Sequence, residues 1–228
     1  MRRLRAAALG ALLLAGCSEP QPPGGTGVSS TGARPDTAGP RSAAGPATTT
    51  PTTYAAPGVL ARLGALRPEG LPVTPLPAGS PVIVEACPGA AFVTRPQGPT
   101  ALVRQWGDAG GPARAEVYLA AVVFPGAPDA ARALAPVRQA IAACPAPPPQ
   151  RDLSVAVSHA RTADLLGAPG GSLDIAYTTP QGTAYDHVTV LQVGNVLLRL
   201  TATAPEARRA TDIGTRSLTT AVAAVRAG

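Results

Sequence analysis

The side chains with the widest chemical repertoire in this 228-residue chain are two histidines, His159 and His187, three cysteines, and an arginine with a nearby tryptophan, Arg104 and Trp106. Imidazole serves proton transfer near neutral pH and metal ligation, but either role needs partners at set spacings. No Cys-x-x-Cys or His-x-x-x-His spacing occurs, so no metal is expected. His187 follows Asp186, yet neighbouring strand residues point to opposite faces, so these two do not readily share one small site. Both histidines read as surface or groove-lining side chains. Serine chemistry fares no better: there is no Gly-x-Ser-x-Gly elbow, and a chain without lysine has no Ser-x-x-Lys. Gly167-Ala-Pro-Gly-Gly171 lacks the spaced glycines, the lysine and the following helix of a phosphate loop, and reads as a strand-to-strand turn. Glu85 and Glu116 fall on separate predicted strands, which does not define a carboxylate pair. Arg104 and Trp106, two residues apart on one strand face, are the polar and aromatic combination best suited to holding a ligand. No catalytic residue and no cofactor is expected.

The elements that must position these residues follow from periodicity. Residues 81–86 read as a strand leading into Cys87, and residues 91–95 and 100–106 as two more, separated by Pro/Gly turns. Residues 113–124 form the clearest strand, with Val117, Leu119, Ala121 and Val123 on one face and Glu116, Tyr118, Val122 and Phe124 on the other. A strand apolar on both faces belongs in the middle of a sheet. Asp129 is placed as N-cap or first-turn acid of a helix to Ala143, whose Leu134, Val137, Ile141 and Cys144 make one buried stripe. Pro136 should kink that helix or mark a late start near Leu134.

A second set of strands follows at 152–159, around Leu173 to Tyr177, at 184–193 and at 196–203. The last two flank Gly194-Asn195, a glycine-first pair suited to a type II′ hairpin turn. Thr203-Ala-Pro-Glu206 reads as a capping box for a terminal helix reaching about Arg226, with Ala210, Gly214, Leu218, Ala221, Val222 and Val225 inward. The expected fold is α+β: a mostly antiparallel sheet with two main helices packed on it. Ahead of it, Val59, Leu60, Leu63 and Leu66 have helical spacing before a run of prolines, so residues 59–80 read as a Pro-rich lead-in to a domain at 81–228.

The amino terminus has a different character. Arg2, Arg3 and Arg5 precede a short apolar run ending in Leu14-Ala15-Gly16-Cys17, the order of a secretory signal and too short to span a bilayer. The Leu-Ala-Gly-Cys end resembles a bacterial lipobox. That resemblance implies removal of residues 1–16, a diacylglycerol on Cys17, and a lipid anchor to the extracytoplasmic face of the cell membrane. Residues 17–58 are then the lipidated cysteine and a tether rich in Pro, Thr, Gly and Ala, which buries too little to order itself. Its reach as a flexible coil is roughly 35 Å. All 19 basic residues are arginine, which suggests a GC-rich genome. The formal charge of +6 includes the three arginines of the signal, and what remains is too small and dispersed for nucleic-acid binding. With Cys17 assigned to lipid, Cys87 and Cys144 remain as a pair for a disulfide in an oxidising compartment. Closing that loop is worth roughly 4 kcal/mol in chain entropy.

The strand ending in Val122-Val123-Phe124, the Ala-rich helix ending in Cys144, the strand Gly194-Asn-Val-Leu-Leu-Arg-Leu200 and the terminal helix together resemble the extracellular sensor domain of PknH-type receptor serine/threonine kinases, a family that includes free-standing actinobacterial lipoproteins. The resemblance implies an antiparallel sheet with packed helices, a cleft for a small ligand, no known catalysis, and disulfides; members usually carry two bridges, whereas this domain has cysteines for one. The expected function is a membrane-anchored, non-catalytic binding or sensor-like lipoprotein, with Arg104 and Trp106 as candidate ligand contacts. A carrier of envelope lipid or glycolipid is the alternative. Thiol titration of denatured, unreduced protein should find no free thiol in the domain, and two would refute the Cys87–Cys144 bridge.

Overall fold

The computed structural model describes residues 52–88, 91–107, 115–148 and 150–227. The signal sequence, Cys17 and residues 18–51 of the segment read as a tether lie outside the described residues. The expected class is observed. Strands β1 (Val73–Thr74), β2 (Val82–Glu85), β3 (Ala91–Arg95), β4 (Ala101–Gly107), β5 (Glu116–Val123), β6 (Ser154–Leu165), β7 (Ala168–Thr179), β8 (Gly182–Val193) and β9 (Val196–Ala204) accompany helices α1 (Ala56–Gly64), α2 (Ala127–Ala142) and α3 (Ala207–Arg226). Seven strands make one antiparallel sheet in the order β1-β4-β5-β9-β8-β7-β6, and β2 pairs with β3 in a separate two-stranded sheet.

The large sheet is covered on both faces, and strand alternation divides its side chains between two cores. Val117, Leu119, Ala121 and Val123 of β5, with Leu198 and Leu200 of β9, pack against Val59 and Leu63 of α1 and Ile213, Leu218 and Val222 of α3. Ala120 and Val122, with Leu197 and Val190, pack against Leu134, Val137 and Ile141 of α2 and Val82 and Val84 of β2. This two-faced burial places β5 inside the sheet, as its composition predicts.

The helix α2 begins after Gly126, an N-cap without a side-chain bond, so Asp129 is a first-turn acid, where it meets Arg132. Pro136 neither delays nor ends the helix. It approaches β7 closely because residue 171 is glycine: a Cβ there would lie 2.8 Å from Ile141 Cδ1 and 3.0 Å from the Arg161 carbonyl oxygen. Past the helix end Cys144 is bonded to Cys87, with Cα atoms 5.8 Å apart, which staples α2 to the end of β2.

Three local expectations are corrected. The capping box does not form: Thr203 pairs in the β9 ladder and its hydroxyl donates to Asp186 Oδ1 at 2.6 Å, leaving Glu206 as an N-cap without a side-chain bond. The strand expected at 152–159 continues to Leu165, because the irregularity between Ser158 and Arg161, with His159 at φ 51°, absorbs the break and pairing resumes. The turn expected at Gly167–Gly171 shrinks to Leu166 and Gly167, at φ 53° and 71°, and Ala168 onward belongs to β7. Two consecutive positive φ values are those of a type I′ hairpin turn. At Gly194-Asn195 only the glycine has positive φ, 58°, in keeping with the type II′ expectation.

The folded unit also begins earlier than residue 81. Tyr54 packs on the core, and α1 buries Val59, Leu60 and Leu63, so residues 52–64 are part of the domain rather than tether and lead-in. Asn195, itself buried, holds this segment. Its Oδ1 accepts the Tyr54 N–H at 2.7 Å, while its Nδ2 donates to the carbonyls of Tyr54 at 3.1 Å and Phe124 at 2.8 Å. Gly194 makes room, since a Cβ there would strike the Thr52 carbonyl oxygen. Asn195→Ala orphans a backbone donor and two acceptors and should cost about 3 kcal/mol. Urea unfolding measures it, and a loss below about 1 kcal/mol would show that water takes over the latch.

Candidate functional site

Arg104 and Trp106 lie on one face of β4 as expected, but they do not form a binding surface. Trp106 has no exposed area and packs in the core with α1, its indole N–H without a partner among the described residues. Arg104 is half-buried beside Gly64 at the end of α1. The tryptophan is core, and the arginine lies above it at the domain surface.

The histidines are brought together by a residue that the sequence reading did not weigh. Asp174 of β7 pairs with His187 of β8 on one side and with Ser158 of β6 on the other, beside the irregular turn at His159. Its carboxylate spans both rings: Oδ1 lies 2.6 Å from His187 Nδ1 and Oδ2 lies 2.9 Å from His159 Nδ1. Asp186 and His187 face opposite sides of the sheet, as alternation predicts, but His187 is buried beneath α3 rather than surface or groove-lining. Gly214 admits it, since a Cβ there would be 2.7 Å from His187 Cδ2. His159 is 81 % exposed and fits the surface reading.

The Thr189 hydroxyl lies 3.3 Å from His187 Nε2, so Asp174, His187 and Thr189 stand in the order of an acid, a base and a nucleophile. Thr189 is only 1 % exposed, however, and a substrate carbonyl has no approach to its hydroxyl. The row is a buried polar brace rather than catalytic machinery. Burial alone would raise the Asp174 pKa, but hydrogen bonds and charge from His187 and then His159 outweigh it and hold the group below its ordinary range. No group of three or more His, Cys, Asp or Glu side chains arranged to hold a metal occurs among the described residues.

A second polar cluster occupies the α2 side of the sheet, beyond the apolar rows that α2 and β2 cover. Alternation sends Glu116 and Tyr118 of β5, Arg199, Thr201 and Thr203 of β9, Asp186 of β8 and Tyr177 of β7 to that face, and Glu85 reaches it from β2. Arg199, with its side chain 12 % exposed, is the centre. Its Nη2 donates to Glu85 Oε1 at 3.2 Å, and its guanidinium carbon lies 5.1 Å from the centre of the Tyr118 ring. Glu116 accepts from Gln105 Nε2 at 3.3 Å.

Burial is the dominant influence on ionisation here. It raises Tyr118 against the lowering effect of Arg199, and it raises Asp186 although the Thr203 hydroxyl and Arg199 favour the carboxylate. Tyr177 is pushed up to about 12, by burial first and then by the charges of Asp186 and Glu85. Two atoms of the cluster are buried without a partner among the described residues: Arg199 Nε and Thr201 Oγ1, on a threonine only 6 % exposed. The signal for this cluster was the lone charge in Val-Leu-Leu-Arg-Leu-Thr, an arginine inside an otherwise apolar strand.

Neither the protein-family models nor the curated proteins give a match to the chain. The functional reading therefore rests on the residues themselves.

The lowered pKa of Asp174 has a consequence for stability. Unfolded, the group titrates near ~3.9, so its stabilising contribution is complete above that pH and is lost as pH falls through the lower folded value. Asp174→Asn should destabilise the protein by about 1 kcal/mol at pH 6, one of the two hydrogen bonds being solvent-exposed. The gap to the parent should close as the pH falls through the lowered folded value of Asp174. Urea midpoints across that range test it, and a gap that stays constant would contradict the carboxylate's role.

Proposed function

We propose that this protein is a membrane-tethered, extracytoplasmic binding module, a sensor-like lipoprotein that holds a small molecule at the Arg199 cluster without transforming it. The observation that carries the reading is the half-buried polar cluster itself, with Glu85, Tyr118, Tyr177 and Asp186 gathered around Arg199 on one face of the sheet. The reading agrees with the absence of an accessible nucleophile in the Asp174–His187–Thr189 row. It is further supported by the leader ending at Cys17, by the tether composition and by the element order shared with PknH-type sensor domains.

Cys17 is the proposed attachment point. Cys17→Ser should abolish incorporation of an alkyne-tagged fatty acid and shift the protein from the membrane to the soluble fraction of fractionated cells. Retention of both label and membrane association would overturn the anchor. Native mass spectrometry of the gently extracted protein tests the binding role. A bound small polar molecule, reduced in Arg199→Met, supports it, whereas a co-purifying lipid indifferent to that change would replace it with lipid carriage.

A further inference from the structure

Resting on the anchor at Cys17 rather than on the Arg199 cluster, we infer that the end of the domain where the chain enters is a contact surface for the phospholipid bilayer. Leu166 is its apolar tip. The entry point is fixed by the fold: Thr52 and Tyr54 meet the β8–β9 turn at Gly194, and with Gly167 of the β6–β7 turn and Arg226 of α3 they line one cavity of about 390 Å³. Both hairpin turns, the last turn of α3 and the incoming chain therefore share one end of the sheet. The β7–β8 turn at Pro180 and Gln181 lies at the other end, a 12-residue strand away, which is roughly 40 Å.

Folding alone does not account for a leucine at position 166. It is the first residue of a type I′ turn, at φ 53°, in the left-handed region that favours Asn, Asp or Gly and crowds a larger side chain. Its side chain is 42 % exposed, so packing returns little of that cost. Among the described residues only one other large apolar side chain, Val73, is comparably open, and its pairing with Trp106 places it toward the far end of β4. Beside Leu166 a groove of about 470 Å³ is lined by Val222, Ala223 and Ala227 at the end of α3, with Thr219 and Arg226. Arg226 Nη2 donates to the Leu166 carbonyl oxygen at 2.7 Å, which sets a cation over the turn. Neither Arg226 nor Arg62, which donates to the Ala224 carbonyl at 2.7 Å, has a carboxylate partner among the described residues, and the acid nearest the tip in sequence is the exposed Asp164. An apolar tip and groove with an arginine at the rim suit a bilayer interface: the apolar groups enter the acyl boundary while the guanidinium stays among the phosphates.

So small a patch binds a bilayer weakly by itself, and the tether supplies what it lacks. A coil with the composition of residues 18–51 reaches roughly 30 Å, so an anchored domain presents its entry end to the bilayer at an effective concentration on the order of mM. Touching the bilayer with the opposite end would require the tether to run back along the length of the strands. The inferred orientation turns Glu116, Asp186 and Thr203 of the Arg199 cluster, which pair with one another at that opposite end, away from the membrane.

Fluorescence of the lipidated protein in phosphatidylcholine–phosphatidylglycerol vesicles tests this. With Cys17 lipidated and Cys87 bonded to Cys144, an added cysteine is the single free thiol for a label, placed in one variant by Ala227→Cys beside the groove and in another by Gln181→Cys at the far turn. Lipids spin-labelled at the headgroup should quench the label at 227 and spare the one at 181, and Leu166→Asn should remove most of that quenching. Asparagine suits the turn, so in the unlipidated Cys17→Ser chain Leu166→Asn should leave the thermal midpoint unchanged or raised. A lowered midpoint would make Leu166 a packing residue and overturn its role as the tip. Failure of the lipidated protein to float with the vesicles would overturn the anchor and this surface with it. Flotation with equal quenching at both positions, or quenching indifferent to Leu166→Asn, would overturn the surface alone. Shielding of the label at 227 without quenching by lipid, together with a doubled mass in light scattering, would assign the groove to a second copy of the chain instead.

Discussion

The structure depends on one constraint: a sheet covered on both faces must be apolar on both faces wherever it is covered. The central strands β5 and β9 meet it by placing Val117, Leu119, Ala121, Val123, Leu198 and Leu200 in one core and Ala120, Val122 and Leu197 in the other, with Arg199 as the exception. From this follow the positions of α1 and α3 on one side and of α2 with the β2–β3 pair on the other. Apart from a few such as His187 and Thr189 beneath α3, which lie within hydrogen-bond distance of each other, polar side chains then gather where coverage stops. On the α2 side that is the end of the sheet carrying Glu116, Tyr118, Thr201 and Asp186, and on the α3 side it is the outer region toward β6.

Small residues set how close the covering layers come. Gly171 lets Ile141 of α2 rest on β7, and Gly214 lets α3 close over His187. The covalent staple acts at the same level, since Cys87 ends β2 and Cys144 ends α2, so both elements covering the α2 side are joined at one edge. Glu85, just before Cys87, is thereby carried to Arg199. The Glu85–Arg199 pair is the point where packing becomes chemistry: the staple places the carboxylate, β9 places the guanidinium, and the surrounding burial makes their unmet bonds costly.

The polar clusters are satisfied to different degrees. Asp174 bonds both histidines, and Asn195 uses its oxygen once and its amide twice. Such groups behave as parts of the framework, directional contacts that hold a strand edge or an arriving segment in register. The Arg199 cluster keeps a donor and a hydroxyl without partners. Trp106 Nε1 and Ser217 Oγ, elsewhere in the fold, are buried without partners among the described residues in the same way.

Much of the scaffold was legible in the sequence because it depends on local periodicity. The strands, the α2 stripe of Leu134, Val137 and Ile141, the inner face of α3, the Gly194-Asn195 turn and the pairing of Cys87 with Cys144 need only alternation, helical spacing, turn chemistry and cysteine arithmetic. Where a local rule was applied to a residue already committed to the sheet, as with Thr203 and its capping box, the ladder prevailed because strand pairing with Asp186 and Glu116 sets its backbone and side chain. The site was not legible. Alternation tells which face a side chain takes on its own strand, but it does not say which strands become neighbours. Asp174 meets His187, and Arg199 meets Glu85 across 114 residues of chain, only through strand order and the staple. The burial that closes off Trp106 and Thr189, and that leaves Thr201 unmet, likewise belongs to the assembled layers and to no single segment.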